Sequence, residues 1–228
     1  MWKGARTPSC ARVESSTRGL MSRNITGLGC AREARSDNLV PTVQNNEMIP
    51  TLETPRLELR PAELADAADT QRLFPHWEIV RFMANHVPWP YPDDGAFTYY
   101  RDSALPGMQR GDEWHWSLRL KTDRDHLIGL ISLLKQENQN RGFWIGLPWQ
   151  RQGLMSEAVE VVTGYWFHVL GFPILRAPKA VLNVASRRIS EKTGMRVVTT
   201  EERDYVSGRF LTEIWEITAE DWRARRRS

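Results

Sequence analysis

The stretch NRGFWIGLPWQRQGLMSEAVEVVTGYWFHVLGF, residues 140–172, decides how the rest of the chain is read. Residues 141–147 carry aromatic and β-branched side chains and run into Pro148, as a strand would. Leu154, Ala158, Val161 or Val162, Tyr165 and Val169 then recur at helical spacing, which predicts a long amphipathic helix over 154–170. Gly171 and Pro173 stop it. Between strand and helix stand Gln150, Arg151, Gln152 and Gly153. The first turn of a helix leaves four backbone N–H groups unpaired, and its dipole favours negative charge. Residues Gln150 to Ser156 therefore suit an anion such as a phosphate, with Gly153 allowing close backbone approach and Arg151 adding charge. On residue types alone, a Gly153 that only relieves a tight turn is equally open. Neither common nucleotide signature, G-x-G-x-x-G or G-x-x-x-x-G-K-S/T, is present.

Working outward, RLELR opens the patterned part of the chain as a short strand from Leu57 that Pro61 ends. Helical spacing follows over 62–74 and 76–86, and the three prolines of VPWPYP, 87–92, exclude a regular element there. Asp93 or Asp94 is placed to cap a helix reaching Leu105, before a Pro106-Gly107 break. Strands are expected over 114–120, with Trp114, Trp116, Leu118 and Leu120 on one face, and over 127–135, joined by a polar turn at 121–126. Downstream come a strand near 174–182, a helix over 185–192 and strands near 195–201 and 210–217. The pattern describes an α/β (α+β) domain in which an antiparallel meander feeds one long helix.

The 228 residues, 41% hydrophobic and 26% charged with a formal charge of +3, suit one domain of about 150–200 residues plus extra segments. Residues 1–50 show no sustained periodicity and are expected to be a disordered or leader segment, with the domain at 51–228. Both cysteines, Cys10 and Cys30, fall in that segment, so no thiolate or Cys-ligated metal can serve the body of the chain. No histidine pair has a metal-ligand spacing beside a carboxylate, and no metal is expected. No apolar run approaches the roughly 18 residues of a membrane span. A cytoplasmic protein is expected, with nucleic acid an unlikely partner despite the basic residues Arg223, Arg225, Arg226 and Arg227.

LPWQRQGLMSEAVEVVTGYWF, followed by LNVASRRISEKTGMR, resembles the acetyl-CoA-binding core of the Gcn5-related N-acetyltransferases (GNAT), and within them the ribosomal-protein-alanine N-acetyltransferase (RimJ/RimL) branch. The family's pyrophosphate pattern, Gln/Arg-x-x-Gly-x-Gly/Ala, falls on Gln150, Gly153 and Met155, a Met replacing the last small residue. A second pattern, Asn-x-x-Ser with Glu-Lys-x-Gly, falls on Asn183, Ser186, Glu191, Lys192 and Gly194, with Met195 in place of the usual Phe. TPRLELRP and WEITAEDW add to the likeness, which covers about residues 52 to 223.

The resemblance implies a GNAT fold: a mixed, largely antiparallel sheet whose central strands, Phe143–Leu147 and the one from Leu175, splay apart, flanked by helices. It places the pantetheine arm of acetyl-CoA beside Trp144, Ile145, Gly146 and Leu147. The pyrophosphate then meets Gln150, Arg151, Gln152, Gly153, Leu154, Met155 and Ser156, and Asn183 and Ser186 bind the arm and sulfur. It further implies acetyl transfer to a primary amine, most readily a protein or peptide N-terminus, by direct attack in a ternary complex. A small-molecule acceptor (amino acid, polyamine or antibiotic) and a non-catalytic CoA-binding module are the alternatives, and a homodimer is possible. Direct transfer requires positioning more than a nucleophile. Ser186 is the expected acid, Glu137 the carboxylate best placed as base, and Tyr205 an alternative acid or lid residue. Trp89, Tyr91 and His115 are candidate substrate-binding residues between the helix at 76–86, the proline-rich loop and the loop at 202–209.

Overall fold

The computed structural model describes residues 49–225. Five strands form one sheet in the order β1 (Leu52–Glu53), β2 (Leu57–Pro61), β3 (Glu113–Leu120), β4 (Asp123–Leu134) and β5 (Arg141–Ile145), each antiparallel to its neighbour. Between β2 and β3 lie the helices α1 (Ala67–Leu73), α2 (Trp77–Val80), α3 (Gly95–Tyr99) and α4 (Leu105–Arg110). After β5 comes the long helix α5 (Leu154–His168), then β6 (Ile174–Ala180), α6 (Val184–Lys192), β7 (Arg196–Tyr205), β8 (Gly208–Thr218) and α7 (Ala219–Arg225). The last three strands form a second antiparallel sheet in the order β6-β8-β7. The mixed α/β architecture, an antiparallel meander feeding a long helix, agrees with the sequence reading.

Strand alternation sorts the first sheet into two faces. Leu57, Leu59, Trp116, Leu118, Ile131 and Leu133 point to α5 and meet its Leu154, Ala158, Val162 and Trp166 in the larger core, which continues through Leu175, Ala177 and Ile217 to Trp222. Trp116, Trp166 and Trp222 are fully buried. The opposite face lies under α1 to α4, with Leu130 and Trp144 in a second cluster with Phe74, Val80, Ala96 and Tyr100. That face also buries polar side chains. Arg119 pairs with the fully buried Asp66, while its Nη1 reaches the carbonyl of Asp125 at 2.7 Å. Burial raises the Asp66 carboxyl above the usual carboxylate range, against the pull of the Glu63 N–H and Arg119.

Several boundaries differ from the sequence reading, each for a physical reason. The expected helix over 76–86 closes after one turn, because the hairpin at 206–207 captures its backbone: Val206 N–H donates to Met83 O at 3.0 Å and Ser207 N–H to Arg81 O at 3.2 Å. Tyr205 bridges Ala84 there, so the expected loop at 202–209 is the end of a long β-hairpin. Pro106-Gly107 does not break its helix. A wide π turn at Tyr100–Ala104 precedes Pro106, which sits in the first turn of α4 where its missing N–H leaves no gap. The helix ends instead at Gly111, whose φ of 73° suits a left-handed cap. The polar turn expected at 121–126 shortens to two residues, since β4 already begins at Asp123. Ile49 and Pro50, assigned above to the leading segment, belong with the domain. Ile49 packs on the larger core and Pro50 O accepts from Trp116 Nε1 at 2.9 Å. The rest of that segment, with both cysteines, lies outside the described residues.

Removing one member of a buried ion pair leaves the other uncompensated. Arg119→Met is expected to lower unfolding free energy by about 3–5 kcal/mol, and Asp66→Leu with Arg119→Met to restore much of it. Urea denaturation of both variants decides this, and an unchanged midpoint for the single variant would rule out a structural role for the pair.

Candidate functional site

β5 and β6 belong to different sheets but touch at one end. Asn140 donates its N–H to Arg176 O and accepts the Arg176 N–H on its side chain, both at 2.7 Å. Three residues on, Phe143 and Lys179 meet, with Nζ 4.7 Å from the ring centroid, so the two strands run the same way. No backbone bond joins them beyond the Asn140 clasp, and a wedge opens toward Ile145 and Ala180. Leu134 N–H bonds Asn140 O and Gly146 N–H bonds Ile128 O, which fixes the hydrogen-bonding phase of β5. By alternation, Gly142 and Trp144 spend their backbone groups on β4, while Phe143 and Ile145 turn theirs toward the wedge. Trp144 aims its side chain at the helices on the far face.

The loop at the wedge mouth answers why long polar residues surround Gly153. Gln150 Nε2 donates to Ile145 O at 3.1 Å and Gln152 Nε2 to Pro148 O at 2.8 Å, while Arg56 Nη2 holds Gln152 O at 2.9 Å. Side chains thus occupy the loop carbonyls, and among the described residues the amides of Arg151, Gln152 and Gly153 have no acceptor. Leu154, Met155 and Ser156 add the free amides of the first turn of α5. Arg151 and Gly153 both adopt left-handed backbone, φ 61° and 80°, which turns successive amides into one concave cradle. Glu157 is the nearby acid. Burial opposes its charge, but Arg56 and Thr54 prevail and lower its pKa.

On the β6 side of the same mouth, Asn183 caps α6 by accepting the Ser186 N–H at 3.2 Å. Ser186 is therefore not itself the cap. Its residue is buried and its hydroxyl has no protein partner in the described region. The remaining expected residues do not converge on this place. Glu137 is exposed in the turn between β4 and β5, at the clasped end and away from the mouth, because β4 ends at Leu134, three residues before it. Tyr205 ends β7 and bonds Thr212 Oγ1 at 2.9 Å, with burial raising its pKa. His115 is fully buried between Glu113 Oε2, 2.7 Å from Nε2, and Ser132 Oγ, 2.6 Å from Nδ1, so it faces no groove. Tyr91 packs edge-on against Phe74, which packs edge-on against Trp144, forming an aromatic wall from the proline-rich loop to β5. Burial pushes the Tyr91 hydroxyl up to about 12. Trp89 is exposed beside Trp77, 5.4 Å between ring centroids.

Two cations in the wedge were missed by the sequence reading. Lys179 is 7% exposed and Arg141 1%. Arg141 bonds Thr163 Oγ1 at 2.7 Å and reaches Met195 Sδ at 3.2 Å, while its Nε has no partner. Among the described residues, no carboxylate pairs with either. Burial first, and the Arg141 charge second, bring the Lys179 ammonium down to about 7. The signal for both was periodicity: Lys179 shares the inward face of Leu175 and Ala177, and Arg141 that of Phe143 and Ile145.

Comparison with known proteins yields a consistent likeness. The acetyltransferase (GNAT) domain family matches residues 56–196. A probable N-acetyltransferase of Bacillus subtilis, YjcK, is 29% identical over 92 residues, 38% of this chain and 50% of its own length, so the match spans half of that relative. Among solved structures, the ribosomal-protein-S5-alanine acetyltransferase of Vibrio fischeri aligns with a TM-score of 0.64 at 13% identity, covering 76% of this chain and 98% of its own. The ribosomal L7/L12 α-N-protein acetyltransferase RimL, solved with coenzyme A, aligns at 0.63 and 15% identity, covering 75% and 98%. At these identities the structural likeness is one of fold.

Two measurements test the wedge itself. Gly153→Ala forces a side chain into left-handed backbone and should destabilise the protein by about 1–2 kcal/mol in urea unfolding. An unaffected midpoint would mean the loop relaxes freely. Lys179 supplies the pH dependence. Its folded pKa of about 7 lies below the unfolded value near 10.4, so between them the unfolded chain binds the extra proton. Stability attributable to Lys179 should therefore rise with pH across that window, by a few kcal/mol at most, and Lys179→Met should flatten the rise. Denaturation midpoints that track pH equally in both proteins would contradict the burial of this ammonium.

Proposed function

The chain belongs to the acetyltransferase (GNAT) domain family, and on that premise we propose that it transfers an acetyl group from acetyl-CoA to the N-terminal amine of a protein or peptide. One observation carries the reading: a row of unpartnered amides from Arg151 to Ser156 stands at the mouth of a wedge whose strand edge is also unpaired. Such amides favour a diphosphate, and the exposed backbone groups of Phe143 and Ile145 can pair with the amides of a pantetheine arm as a neighbouring strand would. That RimL is solved with coenzyme A supports the same ligand here.

The chain's residues then have definite tasks. The cradle holds the diphosphate, β5 aligns the arm, and Asn183 and Ser186 meet its sulfur end from the first turn of α6. With both substrates held together, positioning supplies much of the rate, and no nucleophilic side chain is needed. The acceptor enters from the opposite face, along the wall of Trp89, Tyr91, Phe74 and Trp144. These rings suit the first side chain of a peptide better than a polyamine, which calls for carboxylates.

Isothermal titration of acetyl-CoA into the full chain tests the cofactor step. Gly153→Glu puts a carboxylate at the cradle and should weaken binding roughly a hundredfold, about 2.7 kcal/mol, while circular dichroism stays native. Peptides with free Ala, Ser or Met termini, run beside spermine, then test the acceptor. No binding of acetyl-CoA by the folded protein sinks the proposal, and acetylation of spermine alone overturns the acceptor class.

A further inference from the structure

Amine acetylation leaves a proton balance to settle: the attacking amine loses one proton and the departing sulfur gains one. A serine hydroxyl such as that of Ser186 is a weak acid and needs a proton source behind it. Glu137 is out of reach in its exposed turn. Inside the wedge stands an ionisable side chain with no assigned task. Lys179 lies in the gap between β5 and β6, over Phe143, the residue whose backbone edge is open. The carboxylate registered opposite Lys179 on β8, Glu213, is already held by Arg187 and by the ring N–H of Trp215, and no carboxylate among the described residues pairs with the lysine. Arg141 of β5 is a second buried cation with an unpartnered Nε, the buried side of α6 presents Ser186 and Ser190, and Glu160 of α5 acts on Arg141 only from a distance. A buried ammonium over an aromatic ring, beside another cation and lacking a carboxylate, is a site completed by an anion.

We propose that Lys179 is a catalytic residue that takes up the proton shed by the attacking amine and, as the ammonium, pairs with the cofactor sulfur as it leaves as a thiolate. The inference rests on the acetyl-transfer reading above. The acceptor nitrogen attacks the thioester carbon and sheds its proton to the neutral Nζ, and the C–S bond breaks with its electron pair left on sulfur as a thiolate. The new ammonium balances that thiolate, and the same proton departs with CoA as the thiol, returning Nζ to its neutral form, so no outside acid or base is consumed. A group that titrates near neutrality suits both halves of this exchange.

The test needs no knowledge of the acceptor. Full-length wild type, Lys179→Met and Lys179→Arg are each mixed with CoA, and with S-methyl-CoA as the probe that cannot ionise. The pH is about 7.8, above the Lys179 value and below that of an ordinary thiol. The ultraviolet thiolate band is read together with proton release, the latter from titrations in buffers of different ionisation enthalpy. In wild type the band should appear on CoA binding with almost no proton released, because the thiol proton passes to Lys179. Lys179→Arg should show the band with about one proton released, since a guanidinium is already charged. Lys179→Met should bind acetyl-CoA within about threefold of wild type yet show no band, and its preference for CoA over S-methyl-CoA, about tenfold in wild type, should vanish. A wild-type band that persists in Lys179→Met overturns the assignment to Lys179 and leaves acetyl transfer standing. Acetyl-CoA binding with no thiolate band in wild type overturns it too. A folded wild type that binds neither CoA nor acetyl-CoA removes the acetyl-transfer reading and this inference together.

Discussion

Asn140 and Arg176 clasp β5 to β6 through one backbone bond and one side-chain bond, both 2.7 Å, and the strands then separate. Most of what this fold can do depends on that single junction. Because β5 leads to α5 and β6 leads to α6, two helices begin where the strands have parted, and both present their N-terminal amides to the same mouth. A fully paired sheet would have spent the edge of β5 on β6 and left no place for a ligand arm. Without the clasp, the edges would be free but unregistered. The long hydrogen-bonded ladder of β7 and β8 gives the second sheet enough rigidity for β6 to stand apart.

An unpaired strand edge is unfavourable in a buried setting, while the bare amides of Arg151 to Gly153 stand on an exposed loop. The chain limits that cost with side chains. Gln150 and Gln152 satisfy carbonyls of the preceding turn, Arg56 reaches across from the start of β2 to hold another, and Asn183 closes α6. What remains unpaired is therefore donor-rich and concentrated in one place. Behind it, Leu154, Ala158, Val162 and Trp166 anchor α5 on the first sheet, so the cradle rests on the larger core rather than on loop contacts.

Periodicity revealed the long helix, the meander and the strand–helix junction because those elements are stabilised locally, by alternation against one core. It misjudged elements whose fate is set from far away. The helix over 76–86 loses its later turns to backbone bonds from residues 206 and 207, more than 120 positions distant in the chain. Pro106 reads as a break until the π turn before it is seen. Site residues divide in the same way. Gly153, Asn183 and Ser186 come together because each sits at the start of a helix the sequence announces. Glu137 reads as the end of a strand and His115 from its flanking tryptophans, but their surroundings are set by the turn after β4 for one and by the Glu113–His115–Ser132 chain under α3 for the other. The inward cations were in principle visible, since Lys179 interrupts the apolar face begun by Leu175 and Ala177.

That interruption gains its meaning from the sign of everything around it. The N-termini of α5 and α6 contribute partial positive charge, and Arg141 and Lys179 contribute two more centres within the wedge. The nearby acids are already committed, Glu157 to Arg56 and Thr54, and Glu213, opposite Lys179, to Arg187. A protein that needed only stability would fill Arg141 and Lys179 with apolar side chains, which are often at least as favourable as buried charge. Their retention beside an open strand edge is what a site for a negatively charged ligand requires. In the proposed complex the diphosphate end of such a ligand meets backbone amides, which cannot titrate and so bind without regard to pH. On the proposed reading its reacting end meets a side chain that can, so the fixed donors hold the ligand while the movable proton stays next to the bond that breaks.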